Sequence, residues 1–207
     1  QCEIVKFSEA KKYFKGDYDL KKISNKMPYP VFFKDSEKKK IDFKKLLGKS
    51  ENIIGNTDEN KFFYITKNTL NLKIELEQNK KGNVILIGNF NPNIKILLKD
   101  NRSIEYLNKN QDWYDNYITG CLTFLDSKFN GGEITVENSK CEDSVNIIRS
   151  SGYINKLKIT NSFSDGADFD FSKLEIKDIT VENSGNDCAD FSYGNYTVSN
   201  ATFINCG

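Results

Sequence analysis

Apolar and polar residues alternate in short runs through the C-terminal half of the chain. Residues 134–137 read Ile-Thr-Val-Glu and residues 157–160 read Leu-Lys-Ile-Thr. A period of two is typical of β-strands that bury one face. The runs are separated by Asn, Gly, Ser and Asp, which favour turns. The pattern therefore predicts short strands, about three in each unit described next, joined by tight corners.

The alternating segments form a repeat in which three units begin 22 residues apart, at Asp143, Asp165 and Asp187. A preceding unit aligns with one extra residue near Gly131 and Gly132. Each aligned column holds similar residues: Val145, Ala167 and Ala189; Ile147, Phe169 and Phe191; Ile159, Val181 and Phe203; and Asn138, Asn161, Asn183 and Asn205. We expect the apolar columns to face the core and the Asn column to lie at a corner, where Asn tolerates left-handed backbone geometry.

A period of this length indicates a solenoid or a related array. The leucine frame of leucine-rich repeats is absent from the units, and so is the 3.6-residue periodicity of paired helices. The sequence therefore predicts an all-β fold, a right-handed parallel β-helix with one coil per unit. The handedness follows from the preference of parallel strands for right-handed crossovers.

The first part of the chain is less regular. We predict an irregular α/β N-terminal capping region over residues 1–69, a parallel β-helix over 70–207, and regular coils over 118–207. Such a cap would cover an otherwise open end of the solenoid. Within this first part we predict helices at 3–14 and 42–47 and strands at 62–66, 70–76, 84–87 and 94–98.

Composition narrows the range of functions. The chain has 30 basic and 29 acidic residues, so its net charge gives no reason to expect nucleic acid as a partner. That neutrality combines an acidic segment, residues 116–207, with a basic remainder. The sequence contains no histidine, which excludes His-based triads and His-ligated metal sites. It also has no apolar run of about 18 residues, so no membrane-spanning helix is predicted.

Five cysteines are present, and none forms a Cys-x-x-Cys pair. Cys121 and Cys188 fall in one column, but three coils separate them, about 14 Å at the spacing of neighbouring strands. That distance exceeds the reach of a disulfide. Cys141 and Cys206 fall in other columns, so we expect free and mostly buried thiols, with Cys2 isolated.

The repeats resemble right-handed parallel β-helix proteins of the pectin-lyase-like superfamily, over about residues 118–207. Members commonly bind, cleave or epimerise acidic polysaccharides. Polygalacturonase-type hydrolases of this superfamily carry Asn-Thr-Asp and, one coil later, Asp-Asp. Ser164-Asp165-Gly166 and Asn186-Asp187-Cys188 occupy the corresponding positions here. The resemblance thus implies catalytic roles for Asp165 and Asp187, although Asn186 replaces one carboxylate and the histidine of the family is missing.

A second group of candidates begins three residues further along the chain, at Asp168. Alternation places Asp168 and Asp170 on the outer face, with Asp190 and Asn146 beside Asp168 in the adjacent coils, about 4.8 Å away. Carboxylate and amide oxygens are ligands for Ca²⁺. The simpler interpretation is a solvated acidic stripe. In β-helix lyases such a calcium neutralises a uronate and a Lys or Arg acts as base, which implies Arg149 for that role.

The sequence leaves three kinds of function open. The first is a secreted or cell-surface β-helix module that binds glycan or a partner protein without catalysis. The second is a calcium-dependent polysaccharide lyase or epimerase that acts on acidic glycans. The third is a structural spacer. We also expect a homotypic or other protein contact at the end of the last coil, near residues 205–207.

Overall fold

In the computed structural model, residues 55–56, 60–65, 68–76, 82–105 and 119–207 are described. They form a parallel β-solenoid, as predicted. The strands are β1 (Gly55–Asn56), β2 (Asn60–Ile65), β3 (Asn71–Leu76), β4 (Asn83–Gly88), β5 (Lys95–Asp100), β6 (Gly120–Leu125), β7 (Lys128–Asn130), β8 (Glu133–Glu137), β9 (Asp143–Ile148), β10 (Ser151–Ser162), β11 (Asp165–Asp170), β12 (Lys173–Ser184), β13 (Ala189–Ser192) and β14 (Asn195–Cys206).

The strands predicted in the first part of the chain are confirmed by β2, β3, β4 and β5. The predicted helices at 3–14 and 42–47 lie outside the described residues. Parallel pairing already includes β2, which aligns Asn60 with Asn83 of β4. The predicted limits of the capping region and of the solenoid stay predictions.

Two long sheets carry the solenoid. The first sheet has the order β1-β2-β4-β6-β9-β11-β13, and the second has the order β14-β12-β10-β8-β5-β3. Every pairing is parallel except that of β1 with β2. Ser151, Lys173 and Asn195 align across three coils, 22 residues apart, which confirms the predicted register.

The prediction that the extra residue of the first regular unit lies near Gly131 and Gly132 is wrong. Gly120 aligns with Asp143 and Glu133 with Lys156, so the offset is 23 residues throughout this coil. The offset falls to 22 only from Asp143 onward. The additional residue therefore lies between β8 and β9, because a corner outside the ladder can lengthen without shifting any strand.

The core consists of the predicted apolar columns. Val145, Ile147, Ala167 and Phe169 are fully buried in one continuous cluster with their counterparts from the second sheet. Phe169 stacks on Phe191 with ring centroids 4.6 Å apart and planes 4° apart. One coil cannot cover its own apolar side chains, so the equivalent side chains of the next coil bury them and stabilise both coils.

The Asn column forms the predicted corner ladder. Asn138, Asn161, Asn183 and Asn205 have φ between 54° and 60°, the left-handed region that Asn tolerates. Nδ2 of each of the last three donates to Oδ1 of the preceding Asn over 3.0–3.1 Å. The amide thus satisfies the unusual backbone geometry and joins successive coils.

A second left-handed corner follows the first sheet and was not predicted. It contains Asp126, Arg149, Phe171 and Tyr193, with φ between 47° and 50°. No single residue type marks this column, because its members join the coils in different ways. Arg149 donates to Asp126 from two nitrogens, at 2.8 and 2.9 Å, whereas Phe171 and Tyr193 stack with ring planes 4° apart.

The prediction of free thiols is wrong for the four described cysteines. Disulfides join Cys121 to Cys141 and Cys188 to Cys206, with Cα–Cα distances of 5.3 and 5.4 Å. The prediction considered only cysteines stacked in one column. Cys188, which directly precedes β13 of the first sheet, instead contacts Cys206, 18 positions later at the end of β14 of the second sheet.

The same pair of positions is occupied differently in each coil. Ser144 and Ser162 share a hydrogen bond of 2.6 Å at the positions that Cys188 and Cys206 link covalently. In the preceding coil, the Ser139 hydroxyl at the later position lies 3.2 Å from the Cys121 sulfur. Cys121 reaches Cys141 instead, which lies in the lengthened corner between β8 and β9.

A buried ion pair lies against the first disulfide. Asp100 and Arg102 have side chains that are 0% and 1% exposed, and Arg102 donates to both carboxylate oxygens, at 2.8 and 2.7 Å. The carboxylate also accepts from the backbone of Lys140 at 2.9 Å. Because each charge has an oppositely charged partner, the pair is tolerated in this buried position. It joins the irregular early coil to the lengthened corner between β8 and β9.

We expect a non-reducing proteolytic digest to yield two linked peptide pairs, Cys121 with Cys141 and Cys188 with Cys206. Replacing the first pair with serines (Cys121→Ser, Cys141→Ser) should lower the free energy of unfolding by about 3 kcal/mol, because the bridge closes a loop of 20 residues. Urea unfolding measures this, with Lys177→Ala, at an exposed position on β12, as control. A peptide linking Cys121 to Cys188 would contradict the register.

Candidate functional site

The predicted acidic residues lie on the outer face of the first sheet. Thr123, Asn146, Asp168 and Asp190 align across β6, β9, β11 and β13. Their strand neighbours, such as Val145 and Ile147, belong to the core cluster, so this column points away from it. We call Asn146, Asp168, Asp170 and Asp190 the acidic face.

Burial changes steadily along this column. Thr123 and Asn146 are 0% and 1% exposed, Asp168 is half-buried and Asp190 is exposed. The predicted alternative, a solvated acidic stripe, fits Asp190, whereas Asp168 and Asp170 are half-buried. Asp168 lies at the boundary between a buried amide and open solvent.

Asn146 is only partly satisfied. Its Nδ2 donates to Oδ2 of Asp168 over 3.0 Å. Its Oδ1 is buried, and no described residue donates to it. A buried acceptor without a partner costs about 1–3 kcal/mol. The orphaned oxygen belongs to the amide whose nitrogen contacts Asp168, and the same amide turned over in place would present this oxygen to the carboxylates and to a cation.

Asp168 and Asp170 of β11 both have raised pKa values. Burial raises the pKa of Asp168 to about 7, and repulsion from Asp170 and Asp190 adds to the increase. The hydrogen bond from Asn146 acts in the opposite direction. Burial also raises the pKa of Asp170. Like charges one coil apart thus oppose ionisation at neutral pH.

Asp143 belongs to the same electrostatic group, and the sequence did not identify it. The residue is 3% exposed, and burial raises its pKa to about 8, with repulsion from Asp168, Glu142 and Asp165 adding to the increase. A hydrogen bond with Thr119 partly offsets these effects. Alignment of the repeats places Asp143 in one column with Asp165 and Asp187, but membership of that column does not predict that Asp143 is buried.

This arrangement suits a hard divalent cation. The acidic face offers three carboxylates and one orphaned amide oxygen on rigid parallel strands, and Ca²⁺ takes six to eight such oxygen ligands. The ion would remove the repulsion that raises the pKa of Asp168 and would satisfy Oδ1 of Asn146. Asp190, which is exposed, leaves the outer side open to a ligand.

Asp165 begins β11, and Asp187 lies at the equivalent position one coil later, two residues before β13. Oδ1 of Asp165 accepts a hydrogen bond of 3.0 Å from the backbone amide of Asp187. This contact joins the two coils, so Asp165 has a structural role at its predicted position. The catalytic role of the two carboxylates stays a prediction.

Arg149 directly follows β9, at the second left-handed corner. Its bidentate pair with Asp126 leaves the guanidinium side chain 17% exposed. A carboxylate partner favours the charged form of a guanidinium, whereas a general base must be neutral. The surroundings of Arg149 therefore favour an ion-pairing role over the predicted role of a base.

Asp100, Cys121 and Cys141 form another cluster of potential metal ligands. The two sulfurs are joined to each other, and the Asp100 carboxylate is matched by Arg102. A thiolate is the form of cysteine that binds metal. Because the two sulfurs are bonded to each other and the Asp100 charge is paired with Arg102, we assign this cluster a structural role.

Comparisons of the chain with protein-family models, with curated proteins and with solved structures gave no match. The part of the superfamily resemblance that the structure shows is a parallel β-solenoid. Among the described residues, no helix has the length and apolar character needed to cross a membrane.

In EDTA, we expect the free energy of unfolding to fall as the pH rises from about 4 to about 8. Folded Asp143 and Asp168 keep their protons to about pH 8 and 7, whereas unfolded carboxyls lose theirs near pH 4. The unfolded chain therefore binds fewer protons in this window. Urea unfolding at several pH values measures the fall.

Asp143→Asn should reduce this dependence on pH, since an amide imitates the protonated acid. Asp178→Asn, which removes a carboxylate from β12 of the second sheet, provides the control and should leave the dependence unchanged. If Asp143→Asn unfolds with the same pH dependence as the parent protein, Asp143 does not retain its proton.

Proposed function

We propose that this protein is a non-catalytic binding module whose acidic face holds Ca²⁺ and, through the ion, an acidic glycan. The observation that carries the proposal is the buried Oδ1 of Asn146, which no described residue satisfies, beside the carboxylate of Asp168. An acidic cluster alone could be a solvated stripe. A buried acceptor without a donor, in the same side chain that contacts Asp168, is a group that an additional ligand at this position would satisfy.

The charge and position of the ligands favour Ca²⁺ over Mg²⁺. Asp168 and Asp190 come from different strands, and their separation is set by the backbone ladder. Ca²⁺ accepts such irregular sets of oxygens, whereas Mg²⁺ requires a near-ideal octahedron. A carboxylate of an acidic glycan would complete the coordination on the exposed side of Asp190.

We propose binding without catalysis because the candidate base is already engaged. Arg149 forms a bidentate pair with Asp126, and Asp165 accepts a backbone hydrogen bond from Asp187. A calcium-dependent lyase or epimerase requires a base near the reacting carbon. No specific observation favours that alternative over simple binding.

The proposal includes a place in the pectin-lyase-like superfamily and a secreted or cell-surface location. The 22-residue repeat and the solenoid support the first. The two disulfides support the second, because such bonds persist in oxidising compartments. A protein contact at the last coil is also proposed, and the exposed Phe203 and Ile204 there support it.

Isothermal titration calorimetry should detect Ca²⁺ binding at submillimolar concentration. The double variant Asp168→Asn, Asp190→Asn should weaken binding at least about tenfold, because it removes two anionic ligands. At pH 7, binding should also release protons, since the pKa of Asp168 is about 7. Titrations in buffers of different ionisation enthalpy measure this release.

Asp178→Asn is the matched control, with one carboxylate removed from the other sheet of the same coil. Hexagalacturonate should bind with added Ca²⁺ and fail to bind in EDTA. If the parent protein shows no heat with millimolar Ca²⁺, or if the double variant binds like the parent, the acidic face is not a cation site.

A further inference from the structure

The outermost described coil, residues 187–207, leaves core-facing apolar side chains uncovered. Phe191 and Phe203 continue the inward columns of Phe169 and Val181. Phe169 and Val181 are fully buried because the next coil lies over them, whereas Phe191 and Phe203 are 37% and 47% exposed. No described strand pairs with the outer edges of β13 and β14. We call residues 187–207 the outer coil.

The edge strand of this coil has no charged residue. β14 is uncharged over its whole length, although 29% of the residues of the chain are charged. The preceding strand of the same sheet, β12, has five charged residues. Charged side chains, lysine above all, are the common protection of an exposed sheet edge against pairing with another chain. β14 lacks this protection and presents a row of free backbone groups, so it can accept another strand.

An outward column also becomes apolar at the outer coil. Ile204 is 45% exposed, and the residues that precede it in register are Lys99, Glu137, Thr160 and Glu182. Polar side chains keep this face of the sheet solvated in the earlier coils. The central part of a protein interface is depleted of charge. The change to isoleucine at the edge is therefore the change that a contact at β14 requires.

The outer coil is large enough for a stable interface. It has 21 residues, of which only Cys188 is buried. Interfaces of standard size use about 20–30 residues on each side. Its only charged residues, Asp187 and Asp190, lie at the first sheet, so no charge lies along β14. A partner that pairs with β14 meets apolar, hydroxyl and amide groups.

A second copy of this chain fits these properties. In a two-fold contact the same surface meets itself, so β14 of one copy lies antiparallel to β14 of the other. An uncharged strand can form this pair without bringing like charges together. The other end of the solenoid does not present an equivalent edge. There β1 already pairs antiparallel with β2, and the edge strand β3 contains the ion pair of Lys73 with Glu75.

We propose that two copies of this chain associate end to end about a two-fold axis, through antiparallel pairing of β14 with β14. The proposal rests on the protein contact at the last coil proposed above and identifies the partner in it. Pairing satisfies the free backbone groups of β14 and buries Phe203 and Ile204 of both copies. The second sheet then continues from one copy into the other.

Sedimentation velocity of the full chain in EDTA, at tens of micromolar concentration, tests the proposal. The expected species has twice the chain mass of 23.7 kDa. Thr202→Glu should raise the dissociation constant of the dimer at least about tenfold, because it places a charge on the pairing edge of both copies. Thr180→Glu is the matched control, one coil earlier in the same outward column and beside Lys158. It should leave the dimer unchanged.

Hydrogen exchange locates the contact. Backbone amides of β14 should exchange more slowly in the parent protein than in folded Thr202→Glu, which leaves this edge open to water. Equal exchange in the two proteins overturns the proposal. So does a parent protein that is monomeric in sedimentation, an open-ended series of larger species, or a Thr202→Glu dimer as stable as that of the parent.

The use of EDTA separates this result from the proposed calcium site. A dimer whose acidic face gives no heat with Ca²⁺ contradicts the cation site and leaves the end-to-end contact intact. A monomer that binds Ca²⁺ contradicts only the end-to-end contact.

Discussion

The parallel backbone ladder between coils is the constraint on which the rest of the structure depends. Because β10, β12 and β14 align residue by residue, any side chain is placed about 4.8 Å from its counterpart one unit away. Each side chain must therefore pack favourably against the equivalent side chain of the next coil. Phe169 meets this condition by stacking on Phe191, and Asn183 meets it by pairing with Asn161.

The corners permit more variety than the strands, since they lie outside the ladder. One extra residue fits between β8 and β9 and brings Cys141 to Cys121. The pair of positions that joins the two sheets is a serine hydrogen bond in one coil and a disulfide two coils later, at Cys188. Both closures occur at the same place because the backbone geometry is the same.

The repeats were sufficient to predict the fold, because aligned residues of successive units are neighbours in the structure. The predicted columns of Phe169 and Asn183 are confirmed in residue type, position and neighbour. The disulfides were missed because Cys188 and Cys206 meet across a coil, and this contact depends on the width of the solenoid, which the period does not give. The burial of Asp143 was missed for a related reason, since alignment reports neighbours along the axis only.

The acidic face shows what the ladder demands of charged residues. Asp168 and Asp190 are held one coil apart by the backbone, and Asp170 lies on the same face. These carboxylates cannot separate as surface side chains usually do. Retained protons relieve the repulsion, which is why burial and neighbouring charge raise the pKa of Asp168 to about 7. A divalent cation relieves it too and can also take Oδ1 of Asn146 as a ligand. The same rigidity that makes the column unfavourable when empty makes it preorganised for an ion.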